Sequence, residues 1–167
     1  LGVVIPDAEA KKLIAAWRLK NPKVVSYWSN VEATAIAAID NPGSVQTIGR
    51  VHFKIVGKPC IKKHKGKVYN CPGEFLYCKL PSGRIIAYHK PHIVAGKFGK
   101  DQMGFFGVDS TTKKYTHKVT YGGCLVENIT QAASRCKIAE ASLDLDSLKY
   151  PLILSVHDEL IADTPKH

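Results

Sequence analysis

The hydrophobic period of this chain changes twice, and the places where it changes limit the folds open to it. Up to Asn41-Pro42-Gly43 the apolar residues recur at helical spacing: Leu13, Ile14 and Trp17 in AEAKKLIAAWRLK, then Val24, Val25, Trp28, Val31, Ala35, Ile36 and Ile39. Asp7 is placed to cap the first helix, and Pro22 to open the second at a first turn, where its missing N–H costs nothing. The aromatic residues of these stripes read as core. From Arg50 the period becomes two. Val51, Phe53 and Ile55 alternate with His52 and Lys54, and FLYCKL leads through Pro81-Ser82-Gly83 into RIIAY, the pattern of a hairpin or meander. Gly96 to Gly107, with Phe98, Met103, Phe105 and Phe106 scattered through it, has no clean period and reads as an irregular connection. After Gly122-Gly123 helical spacing returns, with Leu125, Ile129, Ala132, Cys136 and Ala139 as the apolar positions. The fold class expected is α+β, an antiparallel sheet with packed helices, in a single domain over residues 1–167. Residues 1–43 are its helical part, 44–121 its β-rich part with a basic insert over 57–72, and 122–167 a helix plus a hairpin.

The chain closes on YPLILSVHDELIADTP, in which Leu152, Leu154 and Val156 alternate with Ile153 and Ser155, and Leu160 and Ile161 resume after a break. The break is His157-Asp158, so these residues sit at or beside a tight turn between two strands expected to be buried. Asp tolerates turn geometry, so Asp158 has a purely structural reading. Three consecutive titratable groups, His157, Asp158 and Glu159, on a rigid hairpin tip are also how a metal-dependent site is built. On the preceding helix, Asn128, Gln131 and Arg135 lie three and four apart and project from one face. A solvated stripe explains them. Amide donors also suit the minor groove of a duplex, which offers the same acceptors for A·T and T·A pairs and so tests pairing shape without reading sequence.

A formal net charge of +10 points to a polyanionic partner, nucleic acid before membrane surface. The charge is concentrated: Lys54, Lys58, Lys62, Lys63, Lys65 and Lys67 occur with no acidic residue until Glu74. A solvated lysine-rich loop is the plain alternative. No apolar run approaches the ~20 residues that a membrane span needs. Five cysteines, an odd count too sparse for a disulfide scaffold, favour reduced thiols and a cytoplasmic setting. The start, LGVVIPD, has neither an initiator Met nor a signal peptide, so a piece of a longer chain is expected.

YGGCLVENITQAASR followed by LILSVHDELIAD closely resembles the C-terminal part of family A DNA polymerases, the group that includes bacterial DNA polymerase I, and especially their bacteriophage members. IPDAEAKKLIAAWRLKNPKVVSYW is similar to the two-helix stretch that follows the nucleotide-binding fingers helix in that family. LPSGRIIAY is similar to the hairpin before the primer-contacting helix. Four ordered blocks cover most of the chain. The resemblance implies the palm and partial fingers of a right-hand polymerase, with primer-template DNA and dNTPs as partners, in the host cytoplasm if phage-encoded. It also implies template-directed transfer of nucleotides to a primer 3′-hydroxyl with two Mg²⁺ ions. Asp158 matches the carboxylate of the third polymerase motif, a hard oxygen ligand of the kind Mg²⁺ prefers. Glu159 matches its acidic neighbour, and His157 a residue near the primer terminus. Asn128 and Gln131 fall, to within about one residue, in the block whose amides touch the minor groove. Arg135 is then a phosphate contact, and Arg84 a phosphate or structural arginine.

The same resemblance marks what is missing. The second metal-binding acid comes from an earlier motif of the type DYSxxE, and no such string occurs here. The fingers helix that grips the triphosphate would also lie before Leu1, so the isolated chain is expected to be inactive without the rest of the polymerase. The insert over 57–72 departs from compact bacterial members and has the charge of a duplex contact or the surface for a processivity factor. A rival reading, a basic zinc-stabilised nucleic-acid-binding module, would use Cys60, His64, Cys71 and Cys78, although their spacing contains no C-x₂₋₄-C or H-x₃₋₅-H pair.

Overall fold

In the computed structural model, which describes residues 5–96 and 99–164, the two helical stretches are α1 (Asp7–Lys20) and α2 (Pro22–Asp40). Pro22 stands in the first turn of α2 as its fixed φ favours. Asp7 is already inside α1, whose N-cap is Pro6 with no side-chain hydrogen bond, so the expected aspartate cap does not form. α1 contributes nothing buried. Leu13, Ile14 and Trp17 are all exposed, and Trp17 stacks on half-buried Trp28 of α2 at 5.7 Å. The expectation that these aromatics are core is thereby corrected: α1 buries no residue, and Trp17 stacks on α2 at the surface.

The strands are β1 (Val45–Ile48), β2 (Val51–Val56), β3 (Cys60–His64), β4 (Lys67–Cys71), β5 (Phe75–Lys79), β6 (Ile85–Ala95), β7 (Asp101–Val108) and β8 (Tyr115–Thr120). Six of them form an antiparallel meander in the order β1-β2-β5-β6-β7-β8, and β3 and β4 form a hairpin inserted between β2 and β5. β7 overturns the expected irregular connection over 96–107, of which Phe98 lies outside the described residues. Its glycines hid the strand from the period rule, yet Met103 and Phe106 are buried on its two opposite faces.

One face of the sheet packs on α2 and on α3 (Gly122–Ser147). Val31, Ala35, Ala38 and Ile39 of α2 meet Phe53, Leu76, Cys78, Met103 and, from α3, Leu125 and Ile129. Burying a side chain such as Phe53 or Leu76 stabilises by about 1.5–3 kcal/mol. Burial alone pushes the Cys78 thiol up to about 12, as expected for a thiol used as a small hydrophobe. The helices cross closely because Gly122 starts α3: a Cβ there would overlap the Trp28 carbonyl of α2. Beyond Ala132 the apolar row of α3 leaves the core, since Cys136 is half-buried and Ala139 is exposed.

The other face of β6, β7 and β8 carries His89, His92, Phe106, Tyr115 and His117, and the β3–β4 hairpin folds over it. Tyr69 of β4 sits 4.6 Å from His92 and 4.7 Å from His117 between ring centroids. The lysine-rich insert is therefore a strand pair packed on the sheet and not a free loop.

Candidate nucleic-acid interface

Val156 of β9 (Leu152–Val156) pairs with Glu159 of β10 (Glu159–Ala162), which leaves His157-Asp158 as a two-residue turn. His157 takes φ +50°, the left-handed region that a tight hairpin turn uses. The pair is a separate two-stranded sheet whose packing in the described residues is against α3. Its strands are not buried as the alternation suggested: Leu152, Ile153, Leu154 and Val156 are all exposed. Period fixed which residues share a face, but among the described residues α3 covers the hairpin only in part, leaving Leu160 and Ala162 half-buried. His157, Asp158 and Glu159 are exposed, and among the described residues the Asp158 carboxylate accepts no hydrogen bond. A structural turn aspartate would bond its own backbone, as Asp109 does to Thr111 and Thr112 at 3.1 and 2.8 Å. Asp158 makes no such bond among the described residues.

On α3, Asn128, Gln131 and Arg135 are exposed along one row. The Asn128 amide donates to the Tyr88 hydroxyl of β6 at 3.1 Å, which fixes its rotamer and leaves its carbonyl oxygen and second N–H outward. Tyr88 is buried, and burial raises its phenol to about 12, so it remains a hydroxyl at physiological pH. Gln131 donates to Glu127 at 3.2 Å. Arg84 is exposed beside the β5–β6 turn, which is closed by Gly83 N–H donating to the Leu80 carbonyl at 2.9 Å. That turn docks on α3, with Ser82 Oγ donating to Cys136 Sγ at 3.1 Å. A cleft of about 530 Å³ runs between them, lined by Arg50, Ser82, Ser134, Lys137 and Glu140. The structure thus sets the β5–β6 turn against the Cys136 side of α3, a relation that their distance in sequence does not reveal, whereas Arg135 is not among the residues lining that cleft.

The basic hairpin is closed by Lys65 and Gly66 at φ +47° and +75°, the pattern of a type I′ turn. Lys58, Lys63, Lys65 and Lys67 are exposed, whereas Lys62 faces the sheet with its ammonium 5.6 Å from the Phe106 ring centroid. Among the described residues the one ion pair is Lys137 with Glu140 at 2.8 Å, so no carboxylate neutralises the hairpin. The four residues of the zinc reading are not gathered. Cys60 and Cys71 face each other at the base of the hairpin, His64 is at its far end, and Cys78 is in the core under α2. Among the described residues no group of three or more His, Cys, Asp or Glu is arranged to hold a metal. The histidines missed by sequence reading are His89, His92 and His117; their signal was the in-facing positions of RIIAYHKPHIV and YTHKVT, legible only once β7 and β8 are known as strands.

A DNA polymerase of Bacillus phage SP02 is 34% identical to this chain over 99% of its residues. The chain is related to a segment of a phage DNA polymerase. It spans 23% of that relative's length. No family model and no solved structure matches it. Asp158, the α3 row and the basic hairpin therefore all lie within a stretch shared with the phage polymerase. No described helix is long and apolar enough to cross a membrane.

Proposed function

We propose that this chain is the palm and partial-fingers segment of a phage-type family A DNA polymerase and supplies one of its two metal-binding acids. The observation that carries the reading is the exposed carboxylate of Asp158, without a hydrogen-bond partner among the described residues, on a two-residue turn packed through its hairpin on the helix that bears Asn128, Gln131 and Arg135. Asp158 fits a hard divalent cation, and Glu159 stands beside it on the first residue of β10. One carboxylate does not fix two ions, so the second acid comes from the rest of the polymerase. When bound, the Mg²⁺ pair lowers the pKa of the primer 3′-hydroxyl and stabilises the pyrophosphate that leaves.

This segment's residues position the duplex end. The outward amide groups of Asn128 and Gln131 meet minor-groove acceptors common to all pairs, so mispaired ends lose hydrogen bonds and correct ends keep them. Arg135, in the Asn128 and Gln131 row of α3, and Arg84, beside the β5–β6 turn, bind phosphate oxygens. The β3–β4 hairpin adds sequence-independent attraction to the backbone. The test is primer extension by the whole polymerase with Asp158→Asn, an uncharged isostere. The expected result is a loss in kcat of at least about 10³-fold with primer-template affinity retained. Unchanged kcat overturns the assignment of Asp158. The isolated segment is inactive on this reading, and extension by it that disappears with Asp158→Asn overturns the need for a second acid.

A further inference from the structure

At the base of the basic hairpin, Cys60 of β3 and Cys71 of β4 are direct partners in the antiparallel ladder. Opposed residues in such a ladder put their side chains on the same face, with Cα atoms about 4.5 or 5.5 Å apart. A disulfide needs Cα atoms about 4.4–6.8 Å apart, a range that the ladder spacing of this pair falls within. The other three cysteines have no such partner. Cys78 is in the core, Cys136 accepts from Ser82, and Cys124 is at the start of α3.

The two thiols also differ in access. Cys60 is half-buried and Cys71 buried, and both line a cleft of about 620 Å³ bounded by Asp40, Pro42, Asn70 and Ile93. The cleft is large enough for a small thiol reagent to reach Cys60. Cys71 lies behind it, its Sγ 3.6 Å from the Lys90 carbonyl of β6.

We propose that Cys60 and Cys71 form a redox clasp that fastens the basic hairpin when a low-molecular-weight disulfide such as glutathione disulfide is the oxidant. The Cys60 thiolate attacks one sulfur of the reagent, forming a mixed disulfide and expelling one glutathione thiolate. The Cys71 thiolate then attacks Cys60 Sγ, forming the protein disulfide and expelling the second glutathione. One disulfide is consumed, two cysteine thiols are oxidised, and two glutathione thiols are released. Burial, with Cys60 as its neighbour, holds the Cys71 thiol up to about 11, so the second step is the slow one at neutral pH and accelerates as pH rises. The ring so closed contains Lys62, Lys63, Lys65 and Lys67, which ties the mobility of the basic surface to the thiol state of the compartment.

The test is oxidation of the reduced chain with graded glutathione disulfide, alkylation of the remaining thiols, and peptide mapping by mass. The expected result is a fall from five free thiols to three, with Cys60 joined to Cys71 and Cys78, Cys124 and Cys136 alkylated. Cys71→Ser should instead keep a stable glutathione adduct on Cys60. In the oxidised chain, backbone amides of 61–70 should exchange more slowly than in the reduced chain. A glutathione adduct persisting on Cys60 in the unsubstituted chain, a bridge between other cysteines, or a bridge between two molecules each overturns the proposal.

Discussion

His92 of β6 and His117 of β8 meet through their Nε2 atoms at 3.0 Å across the strand that separates them, because the residue of β7 lying between the two rings is Gly104. The His92 Nδ1–H donates to the Lys90 carbonyl at 2.9 Å, which leaves its Nε2 to accept from the His117 Nε2–H. A Cβ at position 104 would overlap His92 Nε2 and press on His117. Gly104→Ala is therefore expected to destabilise by about 1–3 kcal/mol, the cost of overpacking a filled site. Urea unfolding measures it, and His92→Ala should relieve part of the cost in the double variant, a coupling that independent sites do not show.

Burial lowers the pKa of His92, and burial together with the neighbouring His92, His64 and Lys67 charges lowers that of His117. A histidine depressed in the folded state binds fewer protons there than in the unfolded chain. Stability is thus complete above the ordinary imidazole value of 6.5 and falls as pH drops below it toward the folded values. Protonating His92 also sets two N–H groups against each other. Melting temperature should decline from about pH 6.5 downward, well before carboxylates titrate, and His92→Gln should flatten that part of the profile.

The hairpin lysines are not equivalent. Lys63, Lys65 and Lys67 are exposed, whereas the Lys62 ammonium lies over Phe106. If they contact duplex phosphates, replacing each exposed lysine by Ala should reduce the slope of log K against log salt by about 0.9. Lys62→Ala should change the slope less and instead lower stability by about 0.5–1 kcal/mol. Equal slopes for all four variants would show that the fold does not select among them.

Because α1 buries no residue, Trp17→Ala should cost less than about 1 kcal/mol, mainly the lost stacking on Trp28. Leu76→Ala, in a fully buried site on β5, should cost about 2–5 kcal/mol. Hydrogen exchange should rank the elements in the same order, with α1 amides exchanging through local opening while β5 and β6 follow global unfolding.

The α2 stripe, the alternation of β2, the β5–β6 turn and the tip at His157-Asp158 were all legible in the sequence, since each rests on a local period or a turn dipeptide. β7 was not, because Gly104 and Gly107 replace the side chains that would have marked its period; they are there for the benefit of His92, Phe105 and His117 on neighbouring residues and strands. The burial expected for Trp17 and Leu154 was misread for a related reason. A stripe states that a face is apolar and is silent about what covers it.

What the sequence by itself determined is therefore local: the helical and extended segments, the turn that presents Asp158, the row of Asn128, Gln131 and Arg135, and the charge of the hairpin. The tertiary structure alone decided which distant residues meet: Cys60 with Cys71, His92 with His117, the Ser82 turn with Cys136, and Asn128 with Tyr88. The physical reason is that backbone period and turn chemistry act over a few residues. Strand register and helix packing are fixed by the sum of many weak contacts between segments far apart in the chain, and no single stretch of sequence contains that sum.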